Sequence, residues 1–232
     1  MRILSFNIWG DYGHFKKFHT TSSPLSFSLP PPTAIYGIIG AIKGLPKSDY
    51  ITILTGYNVK VAIGLNNPIK KMRMGVNWIE LKKSFDKLER APQIKQEFLC
   101  DCSFKIYITG KEEFLDELRD FLINHRSYYT PCMGISQCLA NFNFTGEYPG
   151  MVKKISDGEE VHVITTIPSS YPLKIEPGKS YHKERMPVLM NPDRQVIDYR
   201  DIIFENNGKP LCIEGGEYID LGTEKAIVFL NS

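Results

Sequence analysis

Between residues 10 and 19 the chain reads GDYGHFKKFH, so Tyr12, His14, Lys16, Lys17 and His19 crowd into one short stretch. These are the side-chain types that a metal-free cleavage of RNA needs. A base must take the 2′-hydroxyl proton, an acid must protonate the leaving oxygen, and a cation must stand beside the phosphorane. Read more plainly, the same stretch is a basic loop that contacts phosphates, and residue types alone do not separate the two. Elsewhere no glycine-rich loop ends in Gly-Lys-Ser/Thr, and no paired carboxylates, two-metal signature or Ser-His-Asp motif stands out.

Five cysteines, Cys100, Cys102, Cys132, Cys138 and Cys212, raise the question of a metal. One residue separates Cys100 from Cys102 and five separate Cys132 from Cys138, whereas zinc knuckles use shorter, paired spacings. Buried core thiols are therefore expected, with no metal and no cofactor. The odd cysteine count and the lack of a basic, apolar leader point to a reducing cytoplasm. The longest apolar run, Ala34 to Ile42, stops at Lys43, far short of the roughly 20 residues of a membrane span.

The strongest charge signal lies at residues 66–96. Eight basic residues (Lys70, Lys71, Arg73, Lys82, Lys83, Lys87, Arg90 and Lys95) face three acids there, although the whole chain carries only +2. Met72, Met74, Trp78, Ile79, Phe85 and Leu88 are interleaved with them. That mixture suits a surface that neutralises phosphates while apolar or stacking side chains wedge between bases. From Asp198 onward the balance reverses, with seven acids to three bases.

The elements that position these residues follow from periodicity. Alternation predicts strands at Met1–Trp9, Tyr57–Leu65, Glu97–Thr109 and Gly134–Gly146. A glycine-bearing helix is predicted over Ala34–Leu45, capped by Thr33, with Gly37, Gly40 and Gly44 on about one side so that its backbone can lie close to a neighbour. A second helix over Lys111–His125 places Phe114, Leu115, Leu118, Phe121 and Leu122 on one stripe and acids on the other. The order strand, helix, strand, basic insertion, strand, helix, strand is βαββαβ. It predicts an α+β fold with a ferredoxin-like domain, residues 1–146, carrying an inserted thumb at 66–96. Strand-like pieces at Val161–Ile167, Gln195–Phe204 and Lys225–Leu230 make residues 147–232 a β-rich extension.

Three blocks, in order, resemble the CRISPR-associated protein family five of the RAMP superfamily. They are IWGDYGHFKKFHTTSSPLSFSLPPPTAIYGIIGAIKGL, QEFLCDCSFKIYI and YYTPCMGISQCLA, which together cover most of residues 1–146. The resemblance implies the small subunit of a type I Cascade complex, closest to the I-B branch. In that family a thumb wraps the five-prime handle of the guide RNA (crRNA) and locks against the backbone subunit of family seven. The large subunit of family eight and, through the complex, target DNA are the further partners implied. No membrane is among them.

In the I-B branch this subunit is not catalytic; in the I-C branch it cleaves precursor RNA with Tyr, Lys and His, a set that does not map onto matching positions here. The expected function is thus binding the handle without turnover, with a metal-independent endoribonuclease as the alternative. Lys16, Lys17, His19 and Lys43 are expected at phosphates near the first strand and helix. Lys70, Lys71, Arg73, Lys82, Lys83 and Arg90 are expected along the thumb, with Trp78 or Met74 as the wedge. Gln137 stands in GISQC where relatives carry a charged residue, so a hydrogen bond from Gln137 or Ser136 is expected in place of an ionic contact.

Overall fold

The computed structural model describes residues 1–18, 20, 23–77, 93–223 and 225–231. In chain order the first half forms β1 (Arg2–Gly13), α1 (Pro32–Lys43), α2 (Tyr50–Gly56), β2 (Lys60–Leu65), β3 (Lys70–Asn77), β4 (Gln93–Thr109), α3 (Glu112–Ile123) and β5 (Asn141–Pro149). Four of these strands make an antiparallel sheet in the order β2-β4-β1-β5. β3 pairs with the first part of β4, most of which outruns that sheet, while Leu99 and Cys100 pair with β1 as well.

β1 has one apolar face, Leu4, Phe6 and Ile8, and a mixed one in which Ile3 is covered while Ser5 and Asn7 make polar contacts. On one side Leu4, Phe6 and Ile8 join Ile35, Ile39 and Ile42 of α1 and Phe114, Leu115 and Leu118 of α3 in the main core. On the other, Ile3, Ala62 and Tyr107 pack on Ile219, Leu221, Ile227 and Phe229 from the end of the chain.

The second half is made of β6 (Met151–Lys154), β7 (Val161–Val163), β8 (Ile167–Pro168), β9 (Leu173–Lys174), β10 (Tyr181–Met190), β11 (Val196–Glu205), β12 (Leu211–Ile213), β13 (Glu217–Asp220) and β14 (Ala226–Ile227). They form a sheet ordered β10-β11-β8 and another ordered β6-β13-β14-β7-β12-β9. Met186, Ile202 and Phe204 of β10 and β11 enter the same core as α1 and α3. Among the described residues no helix is long and apolar enough to cross a membrane.

Three expectations need correction. α1 starts at Pro32 with Pro31 as its N-cap, and Thr33 is buried without a capping bond. A proline at the first helical position has no N–H to leave unpaired and a φ already set for the helix, and the Pro31 carbonyl accepts the N–H groups of Ala34 and Ile35, so the start forms without a capping hydroxyl. β5 begins at Asn141 instead of Gly134. Gly134, at φ 94°, passes so close to His14 that a Cβ there would lie 2.1 Å from the His14 carbonyl oxygen. His14 N–H bonds to Met133 O and Met133 N–H to Cys138 O, closing residues 131–140 into a compact loop. Finally, α2 fills a stretch to which periodicity assigned no element.

Candidate nucleic-acid interface

The basic insertion emerges as a hairpin. β4 is 17 residues long, and its first part, Gln93 to Cys100, pairs with β3 from Asn77 back to Lys70. Directly opposed residues of an antiparallel pair share a face. Met72, Met74 and Val76 therefore lie with Phe98, Gln96 and Ile94, while Lys71 and Arg73 lie with Leu99 and Glu97. Arg73 and Lys70 lie 3.9 Å from Glu97 and 3.7 Å from Asp101 in loose ion pairs and keep about two thirds of their side-chain surface in solvent. Lys95 and Lys16 are exposed as well.

At its base the hairpin is held by a half-buried ionic clasp. Glu184 of β10 accepts hydrogen bonds from the Ser28 backbone N–H (2.9 Å) and the Ser28 hydroxyl (2.8 Å), and Lys17 reaches it at 3.1 Å. Lys71 donates to the Ser26 carbonyl (2.8 Å) and lies 3.3 Å from Glu97 and 3.7 Å from Glu184. Burial alone would raise the Glu184 pKa, but the Ser28 N–H, Lys71 and Lys17 outweigh it and hold the carboxyl below its ordinary range. The clasp thus ties the first loop, the hairpin and the second half of the chain together.

His14 lies at the same junction, 2% exposed, its Nδ1–H donating to the Glu97 carbonyl (2.7 Å) and its ring against Phe98. Burial lowers its pKa below the usual imidazole range. Tyr12 is exposed, edge-on to Phe98. Lys43 points away from this region. Its side chain, 6% exposed, covers the Phe114 ring and bonds Glu117 of α3 at 2.5 Å. Ser136 and Gln137 are exposed on the loop that crosses His14, the Ser136 hydroxyl donating to Gln137 Oε1. His19, Trp78, Lys82, Lys83 and Arg90 lie outside the described residues. All five cysteines are free, and Cys102 and Cys138 are buried in the core; burial pushes the Cys102 thiol up to about 12.

The glycines of α1 have three different environments. Gly44 ends the helix in the left-handed region at φ 74°, and a Cβ there would meet Tyr128 Cγ at 2.6 Å. Gly40 lets Tyr50 of α2 approach, while Gly37 has nothing within 4 Å of where a Cβ would stand. The carbonyls of Ala41 and Ile42, left without partners by the helix end, accept the backbone N–H groups of Tyr129 and Tyr128. Both tyrosines are thereby fixed beside the glycine face, more than half exposed and edge-to-face with each other. Gly37, Gly40, Ala41, Lys47, Tyr50, Tyr129 and Arg194 line a groove of about 250 Å³, with Arg194 over the Tyr50 ring. Sequence reasoning did not find Lys47, Tyr50 or Arg194. Only YYTP, as part of a resemblance, marked the tyrosines.

No family model and no curated protein sequence matches this chain. Among solved structures, it is similar to a CRISPR protein from Archaeoglobus fulgidus, with a TM-score of 0.61 at 14% identity over 99% of each chain. It is also similar to a chain of a CRISPR RNA-guided surveillance complex, with a TM-score of 0.53 at 12% identity over 90% of this chain and 91% of the other. At such identities the likeness is one of fold: a mixed α+β chain built as these CRISPR proteins are.

Proposed function

We propose that this chain is a non-catalytic RNA-binding subunit of a type I CRISPR Cascade complex, holding the five-prime handle of the guide RNA. The observation that carries the reading is the hairpin of β3 and β4: a ribbon beyond the main sheet, with Lys70, Arg73 and Lys95 in solvent and its base clamped by Glu97 and Glu184. The sheet order β2-β4-β1-β5, with α1 and α3 as connections, supports a ferredoxin-like core at residues 1–146 with its thumb at 66–96. Residues 147–232 form the β-rich extension.

In this reading Lys16, Lys70 and Arg73 contact phosphates, together with Lys82, Lys83 and Arg90 of the thumb. Lys17, Lys43 and Lys71 hold the framework. The groove beside Gly37 accepts an unstacked nucleotide, with Tyr129 and Tyr50 as rings and Lys47 and Arg194 as cations. His14 supports the absence of turnover: its ring is buried and bonded to a carbonyl, so it is not presented to a 2′-hydroxyl. The partners are the family seven backbone and family eight large subunits, in the I-B arrangement.

The test is an end-labelled CRISPR repeat RNA incubated with the protein in EDTA and resolved on paired native and denaturing gels. The expected result is a shifted, uncut band whose affinity falls with salt by about 0.7 in the log–log slope per phosphate neutralised. A discrete cut lost in His14→Ala would overturn it in favour of an endoribonuclease.

A further inference from the structure

Far from the hairpin, the six-stranded sheet brings together three side chains that the RNA-binding reading does not use. His162 of β7 stands directly opposite Cys212 of β12, so both project from the same face of the sheet. Glu176, two residues beyond β9 on the other flank of β12, reaches across to His162 with Oε1 3.5 Å from Nε2. The imidazole nitrogen, the thiol sulfur and a carboxylate oxygen all lie within 4.8 Å of one another. Cys212 is buried, whereas His162 and Glu176 open to solvent, which leaves an entry path.

We propose that His162, Glu176 and Cys212 form a binding site for a divalent transition ion of the zinc class. Imidazole, thiolate and carboxylate together are the donor set of zinc and its tetrahedral relatives, whereas calcium and magnesium take oxygen ligands. A tetrahedron with bonds of about 2.0 Å to nitrogen and oxygen and 2.3 Å to sulfur has edges of roughly 3.3–3.6 Å. The His162–Glu176 edge already has that length. The other two edges, no longer than 4.8 Å, close by up to about 1.5 Å through rotation of the His162 and Glu176 side chains. On ligation the thiol proton leaves to solvent. One thiolate and one carboxylate then neutralise the ion, and water takes the fourth position. Without the ion, cations occupy the neighbouring carboxylates: Lys179 pairs with Glu176, and Lys174 with Glu160, whose Oε2 accepts from the Cys212 thiol at 3.5 Å. Lys174, 42% exposed, swings away when the ion enters, whereas Lys179, 12% exposed and also donating to the Pro210 carbonyl, keeps Glu176 Oε2 and leaves Oε1 to the ion.

Cobalt(II) is the probe, titrated into the reduced full-length protein and then displaced with zinc(II). The site predicts the visible bands of a tetrahedral cobalt ion and a thiolate-to-cobalt charge-transfer band, all lost on zinc addition. Cys212→Ser should abolish the charge-transfer band. Because Cys212 is buried and its variant can unfold, exposed His162→Ala serves as a second variant; it should weaken cobalt binding by roughly tenfold or more. Cys132→Ser with Cys138→Ser should leave the spectrum unchanged. An absence of tetrahedral bands in the folded wild type, or an unchanged cobalt affinity in folded His162→Ala, would overturn the proposal.

Discussion

Two regions of the molecule gather cations, and they use them in opposite ways. In the clasp beneath the hairpin, Lys17 and Lys71 lie against Glu184 and Glu97, so their charge is consumed inside the protein. In the groove on α1, Lys47 is exposed and Arg194 lies over Tyr50, with no carboxylate among the residues that line it. The difference shows that a lysine's availability to a phosphate depends on what the tertiary structure sets opposite it. Lys16 and Lys17 are neighbours in sequence, yet the first is exposed and the second is paired with a residue 167 positions away. Lys43 makes the same point: it closes the interface between α1 and α3, sheltered over Phe114.

The largest effect should come from opening the clasp. Glu184→Gln leaves two lysines without their shared carboxylate and weakens both bonds from Ser28, for a loss of about 2–3 kcal/mol in urea unfolding. The sign of its pH dependence follows from the lowered pKa. The stabilising charge is fully present above the unfolded carboxyl value and is lost as pH falls through the lower folded value. The gap between wild type and Glu184→Gln should therefore be widest near neutrality and shrink in acid. A gap independent of pH would mean that Glu184 acts through packing alone.

Next comes the closed end of the glycine helix. Gly44→Ala must hold a left-handed φ and push Tyr128 aside, so it should lower stability by about 1–3 kcal/mol. Tyr128→Ala removes the clash without relieving φ. The double variant should thus recover part of the loss, and failure to recover any would assign the whole effect to the backbone.

Much of this fold was legible in the sequence, and the misses have identifiable causes. The stripe of Phe114, Leu115, Leu118 and Leu122 placed α3 to within a few residues because one face of that helix is buried and the other is not. β1 and β4 were legible from runs of Ile, Leu and Phe. α2 escaped notice because YITILTG is rich in β-branched residues that favour strands, and only the burial of Ile51 and Leu54 against the core makes it helical. The charge excess of the hairpin was visible, but its clasp was not. Glu184 lies in an acid-bearing strand of the second half, and nothing local couples it to Lys17 or Ser28. For the same reason Arg194 and Lys47, which meet in the groove, carry no common motif.

The exposed and sheltered cations should separate in RNA binding. Replacing Lys70 and Arg73 by alanine should weaken repeat-RNA binding and flatten the log–log salt slope by about 0.7 for each phosphate no longer neutralised, with little change in stability because both side chains are largely in solvent. Lys43→Met should do the reverse: the apolar stem still covers Phe114, RNA affinity holds, and the bond to Glu117 disappears. Equal drops in affinity for the two variants would break the distinction between exposed and sheltered charge.

The smallest effect tests why the groove is open at all. Gly37 lies in a helix interior with empty space where a Cβ would stand, so among the described residues none requires glycine there. Gly37→Ala should raise stability by about 0.5–1 kcal/mol, because alanine reduces the entropy lost when the helix forms. A helix that forgoes this gain, at a position where no neighbour demands it, keeps its backbone bare for something that approaches from outside. Gly37→Leu, which fills the groove between Tyr129 and Tyr50, should therefore fold as well as wild type and bind repeat RNA more weakly. If it binds equally well, the groove takes no nucleotide, and handle binding rests on the hairpin alone.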